Sequence, residues 1–170
     1  MSTFVGLLRA INVGGTGMLP MKELSALCEG LGFEKVRTYI QSGNVILETT
    51  LSEKNVKTAL EQALTEKMGK KIDVLVRSAS ELRAILQANP FPDAPPAKVA
   101  VVFLSGPVPK TLLEDLPAPG GEEVRGGNRE IYIFYPNGMG RSKLKLPAIG
   151  GATTARNINT VAKLVAMTGC

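Results

Sequence analysis

The chain has no histidine and only two cysteines among 170 residues. Without histidine, the usual zinc ligand sets and the nucleophile–histidine triads are excluded. Cys28 and Cys170 lie far apart in the sequence and form no metal-binding spacing, so neither a disulfide scaffold nor a metal or cofactor site is expected. That cysteine usage predicts a reducing, cytoplasmic setting. Long apolar runs are missing as well. The opening "MSTFVGLLRAINVGG" is interrupted by Arg9 and lacks the basic start and long apolar stretch of a signal peptide, so a soluble protein without a leader is expected.

Acidic residues are missing locally. From residue 131 to 170 there is no Asp or Glu, while Arg141, Lys143, Lys145, Arg156 and Lys163 all fall there and together match the net charge of +5. Two earlier stretches, 1–22 and 35–47, are also free of acids and carry Arg9 with Lys22, and Lys35 with Arg37. Positive charge concentrated in this way attracts anions unless the fold supplies carboxylates from elsewhere.

What is present is globular. Hydrophobic residues make up 44%, enough for a sizeable core. "TFVGLLRAI" reads as a strand and "PMKELSALCEGLG" as a helix, with Pro20 in its first turn and Gly32 as the stop. "VRTYIQ" and "NVILET" are β-rich runs around the hairpin signal "SGN". Ser52 suits the cap of an amphipathic helix running to Gly69, followed by the strand "KIDVLVR" and the helix "SASELRAILQ". After the Pro-rich stretch "NPFPDAPPAK" the grammar repeats. "KVAVVFLS", "EEVRG", "REIYIFYP" and "ATTARN" read as strands; "PKTLLEDL", the short turn "RSKLKL" and "NTVAKLVAM" read as helical. The run 74–86 also lies over 153–165 without a gap, placing Arg77 on Arg156 and the expected caps Ser80 and Asn159 on each other. The predicted fold is α+β, with two related ferredoxin-like (split βαβ) αβ-sandwich subdomains at 1–89 and 97–170, joined by a connector at 90–96.

Several polar clusters fit anion contact. "INVGG" sets Asn12 and a glycine pair after the first strand, where successive N–H groups can form an anion nest, although an ordinary glycine turn into a helix is the more frequent meaning of these letters. Arg37, Tyr39 and Gln41 alternate onto one strand face, expected to be the wet one, and are side chains that stack on or hydrogen-bond to bases. Arg141, Ser142 and Lys143 follow a Gly-rich turn that resembles a phosphate loop but lacks the Walker spacing, so an ATPase is not indicated. Arg156 and Asn157 have no acid nearby in sequence. Arg9, among Leu7, Leu8 and Ile11, reads equally as an anion ligand or as a paired structural group. No catalytic residue stands out: Cys28 sits in an apolar helix, and adjacent Ser142 and Lys143 seldom address one substrate atom together.

The motifs "LLRAINVGG", "LGFEKVRTYIQSGNVIL", "NPF", "REIYIFYPNGMGRSKL" and "ATTARNINTVAKL" together resemble the bacterial domain of unknown function 1697 family. The resemblance spans nearly the whole chain and implies an α+β fold of two related subdomains. Where that family often has a bulky aromatic between the asparagines of its last motif, this chain has Ile158. No activity comes with the family. The leading functional expectation is a binding module for a polyanion or phosphorylated ligand, nucleic acid first, although "NVILET" lacks the aromatics of the common RNA-recognition module. The alternatives are an enzyme acting on a small anionic substrate between the halves, and a homo-oligomer whose polar motifs are structural.

Overall fold

The computed structural model describes residues 1–9, 19–39, 43–147, 149 and 151–169. They fall into two compact units. One comprises Met1–Arg83 with Leu164–Cys170, and the other Ala84–Lys163. The division lies inside a helix, ahead of the Pro-rich stretch, and the end of the chain groups with the first unit. None of the described helices is long and apolar enough to cross a membrane.

The first unit is built from β1 (Ser2–Leu8), α1 (Met21–Gly30), β2 (Glu34–Tyr39), β3 (Asn44–Thr49), α2 (Glu53–Met68), β4 (Val74–Ser78) and the start of α3 (Ala79–Gln87). Its antiparallel sheet has the order β2-β3-β1-β4. The helix ends follow the sequence signals. Pro20 precedes α1, and Gly32 beyond its end takes φ 90°. The Ser52 hydroxyl accepts the Asn55 N–H at 3.3 Å, and Gly69 closes α2 in the left-handed region. One sheet face packs Phe4, Val45, Leu47, Val74 and Val76 against Leu24 and Cys28 of α1 and Val56, Leu60 and Leu64 of α2.

The second unit holds β5 (Val99–Leu104), β6 (Glu123–Gly126), β7 (Glu130–Phe134), β8 (Thr153–Asn157) and the start of α4 (Ile158–Met167). Its sheet has the order β6-β7-β5-β8, again fully antiparallel. The expected helix over "PKTLLEDL" is instead a run of turns, and among the described residues no α-helix lies between β7 and β8. The cause is local. Pro147 disfavours helix at the residue before it in the second segment, and Pro117 does the same at the end of the first. Loop side chains cover the sheet instead: Val108, Leu112, Leu113, Leu144, Leu146 and Ile149 pack on Val102, Leu104, Ile131 and Ile133.

Register aligns a second set of side chains. In the first sheet, Arg37, Ile46, Val5 and Arg77 are successive cross-strand partners from edge to edge. In the second, Arg125, Tyr132, Val101 and Arg156 occupy the same sequence of positions. Each row begins and ends with arginine.

Candidate functional site

The segment after β7 carries the densest group of predicted ligands. Gly138 takes φ 84°, a 3-10 turn spans Met139–Arg141, Ser142 after it is extended, and the segment up to Pro147 forms neither helix nor strand. The expected helical turn is corrected here: exposure alternates with a period of two. Arg141, Lys143 and Lys145 are exposed, while Ser142, Leu144 and Leu146 are half-buried, with the two leucines packed on the sheet. Among the described residues, none of the three has a carboxylate within ion-pairing distance.

Ser142 has a different role from its neighbours. Its hydroxyl donates to Glu122 Oε1 at 2.8 Å and accepts the Leu144 N–H at 3.1 Å. Glu122 is buried, and its other oxygen accepts the Gly120 N–H at 2.7 Å. Burial pushes the Glu122 carboxyl pKa up, but its own N–H, the Ser142 hydroxyl and the Gly120 N–H outweigh that and hold it below the usual carboxylate value. The cavity at this joint, lined by Glu122, Tyr135, Asn137, Arg141 and Ser142, measures about 20 Å³, room for no more than about one water. Ser142 is therefore a tether for the basic segment and is not free to bind an anion.

Arg156 and Asn157 are also committed to structure. Arg156 is 8% exposed, and its guanidinium donates to Thr154 Oγ1 at 2.7 Å and to the Ala155 carbonyl at 2.9 Å. Burial pushes its pKa down to about 10, so it stays cationic at neutral pH. The Asn157 side chain accepts the Thr160 N–H at 2.9 Å and caps α4. The expected cap, Asn159, is exposed within the helix, so the sequence reading was two residues late. The same shift applies in α3: Ser78, in place of Ser80, accepts the Glu81 N–H at 3.2 Å. Both helices begin two residues earlier than the expected caps would start them, directly at the ends of their strands, so the 74–86 over 153–165 register survives while both caps move together.

In the first unit, Arg9 is exposed and paired with Asp73 at 3.5 Å. Arg37 and Tyr39 lie on β2, and their face is not the wet side expected. Arg37 shares its face with buried Ile46, Val5 and Arg77, because this sheet is covered on both sides. Its guanidinium donates to the carbonyls of Lys35, at 3.2 Å, and Met167, where α4 ends. Tyr39 is half-buried, and its carbonyl accepts from the Asn44 amide at 2.9 Å. Asn12 and Gln41 lie outside the described residues. Cys28 is fully buried, and burial, reinforced by Glu29, pushes its thiol up to about 12, which removes the nucleophilic thiolate at neutral pH.

Sequence reasoning missed Lys145 as the third member of the exposed line, although the alternation in "RSKLKL" carries it. It also missed an open depression of about 500 Å³ where Phe91 of the Pro-rich stretch meets Arg125 and Phe134. The signal there was Phe91 between two prolines, which reads as a linker until β6 and β7 are seen beside it.

The family model described as "Protein of unknown function (DUF1697)" matches residues 1–132, and the chain belongs to that family. The match stops before the 141–145 segment and before β8. The structure described as that of the conserved bacterial protein SP0830 from Streptococcus pneumoniae is similar at 24% identity, with 98% of each chain covered and a TM-score of 0.78, a likeness of fold. None of the curated proteins compared with the chain matches it.

Proposed function

We propose that this member of the family is a binding module for a polyanion, nucleic acid first, and that Arg141, Lys143 and Lys145 form its contact line. The observation that carries the proposal is the alternation: three exposed cations at every second position of a segment whose intervening residues are anchored by Leu144, Leu146 and the Ser142–Glu122 tether. Cations repeated along a line suit a ligand with repeated charge better than one small anion, and an anchored backbone reduces the ordering cost of binding. The surrounding 131–170 stretch contains no acid to oppose it. Fluorescence polarisation of labelled single-stranded RNA, single-stranded DNA and duplex DNA at two salt concentrations tests the reading. Binding that weakens steeply with salt is expected. Absence of binding at low salt to all three sinks it.

We also read the two units as ferredoxin-like repeats of one ancestral pattern. Support comes from the matching strand orders, the two arginine-ended rows and the paired caps Ser78 and Asn157. At the side-chain level, Arg77 and Arg156 each donate to the carbonyl of the preceding residue at 2.9 Å. An experimental structure whose β1–β4 and β5–β8 backbones fail to superpose strand for strand would overturn this reading.

A further inference from the structure

We infer that the depression formed by Phe91, Phe134 and Arg125 is a site for one planar aromatic ring whose edge carries amino donors, the chemistry of an unpaired adenine, cytosine or guanine base. The platform is built in advance. The Phe91 and Phe134 rings are 5.8 Å apart and tilted by 38°, and both are partly exposed. The Arg125 guanidinium lies 5.9 Å from the Phe91 ring centroid. Two further contacts fix its plane: it donates to the Val124 carbonyl at 2.9 Å and to Glu123 Oε1 at 3.4 Å. With 56% of its side chain still exposed, it offers surface on which a second planar group can stack. Phe91 is itself held, because its N–H donates to Asn89 Oδ1 at 3.0 Å and the Ala94 N–H returns to its carbonyl at 3.2 Å. Pro90, Pro92 and Pro95 restrict that turn further.

The rim decides which ring. Asp93 and Glu123 are both exposed carboxylates, and among the described residues Asp93 has no ion pair. Two acceptors with net negative charge repel a phosphate and accept N–H groups. An exocyclic amine satisfies them, as when Asp or Glu accepts from cytosine N4. Uracil presents mostly carbonyl acceptors to the same rim and is disfavoured.

This inference stands on observations separate from the line at 141–145. The two features lie on opposite faces of the β6–β7 pair, since Glu123 and Phe134 line the depression while their chain neighbours Glu122 and Tyr135 line the joint that tethers Ser142. The base subsite therefore stands apart from the proposed phosphate contacts, and a free nucleoside can occupy it alone.

Proton–nitrogen NMR with adenosine, cytidine and uridine, followed by polarisation with short single-stranded homopolymers of A, C and U, tests the site on the full chain. Adenosine and cytidine are expected to shift the Arg125 Nε–H and the Phe91 ring signals, whereas uridine leaves them in place. The A and C strands should bind about tenfold tighter than the U strand, the scale of one stacked base. Phe91→Ala should reduce the A and C strands to the level of U. Asp93→Asn, a change at an exposed side chain, should erase the preference while the stacking remains. Salt-sensitive binding without base preference would leave the polyanion reading intact and overturn this one. Nucleoside shifts at Arg125 without strand binding would support this site and overturn the polyanion reading. Uridine shifts equal to those of cytidine would refute the amino-edge assignment.

Discussion

The exposed line at Arg141, Lys143 and Lys145 makes a numerical prediction about salt. If each cation neutralises one phosphate of a single strand, the logarithm of affinity falls with the logarithm of salt at about −0.7 per contact, or about −2.1 for three. A fourfold rise in salt then weakens binding about 18-fold. Changing Lys143 and Lys145 to Ala leaves Arg141 alone, so the slope falls to about −0.7 and the same rise costs only about 2.6-fold. Stability should barely move. Both lysines are exposed and, among the described residues, have no ion pair, which limits each change to roughly 0.5 kcal/mol and the shift in Tm to about 2 °C for both. The assay is a polarisation titration of labelled single-stranded RNA across a salt series, with thermal melting of each variant. Lys54→Ala with Lys70→Ala, two exposed lysines of the first unit, removes the same net charge and serves as the control. An equal loss of slope in the control pair would show that net charge, not the line, drives binding and would refute the assignment.

Three further outcomes follow from the packing. Asn157→Ala should cost about 1 kcal/mol in urea unfolding through loss of the α4 cap, with Asn159→Ala close to neutral; the reverse order would contradict the capping geometry. Arg37→Met should increase hydrogen exchange across 164–168, since the guanidinium that holds the Met167 carbonyl is gone, and unchanged exchange there would show the contact to be idle. Cys28 gives an alkaline limb. Its folded pKa is raised to about 12 from 9.0, so its contribution is full below pH 9 and is lost as pH rises from 9 towards 12. By pH 10 that loss is about 1.4 kcal/mol, and Cys28→Ala should flatten the fall between pH 8 and 10 even though the cavity lowers its overall stability. Tyr132, also raised by burial and then by Glu130, adds loss of the same sign at higher pH and leaves this window usable. An unchanged slope in Cys28→Ala would refute the thiol as its source.

The sequence made the first unit legible because its signals are local: Pro20, Ser52 and Gly69 punctuate two helices, and apolar residues recur at helical spacing. Positions that depend on tertiary cover were misread. The alternation of Arg37 and Tyr39 looks like a solvent face in any isolated strand, and nothing in "VRTYIQ" says that Met167 returns to meet Arg37. Arg156 looked unneutralised because its stabilisation comes from Thr154 and a backbone carbonyl, neither of which appears in a charge count. The basic segment was found through composition, but its geometry was misjudged: a helical turn would scatter Arg141, Lys143 and Lys145, whereas the observed alternation of exposure leaves all three on the solvent side.

That difference bears on why the two units are not alike. Between the third and fourth strands of the first sheet lies α2, which covers its sheet face with Val56, Leu60 and Leu64. The corresponding connection of the second sheet covers the same kind of face with Leu144 and Leu146. A helix buries a stripe with a period of 3.6 and sends its remaining side chains around a broad arc, as in α2, where Lys54, Lys57 and Lys67 are interspersed with Glu53, Glu61 and Glu66. An extended segment buries every second residue and must send all the others to one side. Replacing a helix by a segment whose exposure alternates in this way thus turns a covering element into a row of outward side chains, whatever those side chains are. Here three of the outward positions are Arg141, Lys143 and Lys145, with no acid among them. If the row were only a solvated surface, interspersed carboxylates would serve solubility equally well. Their absence, together with the Glu122–Ser142 tether that fixes the start of the row, is what makes charge along a line, and not charge in total, the property to test.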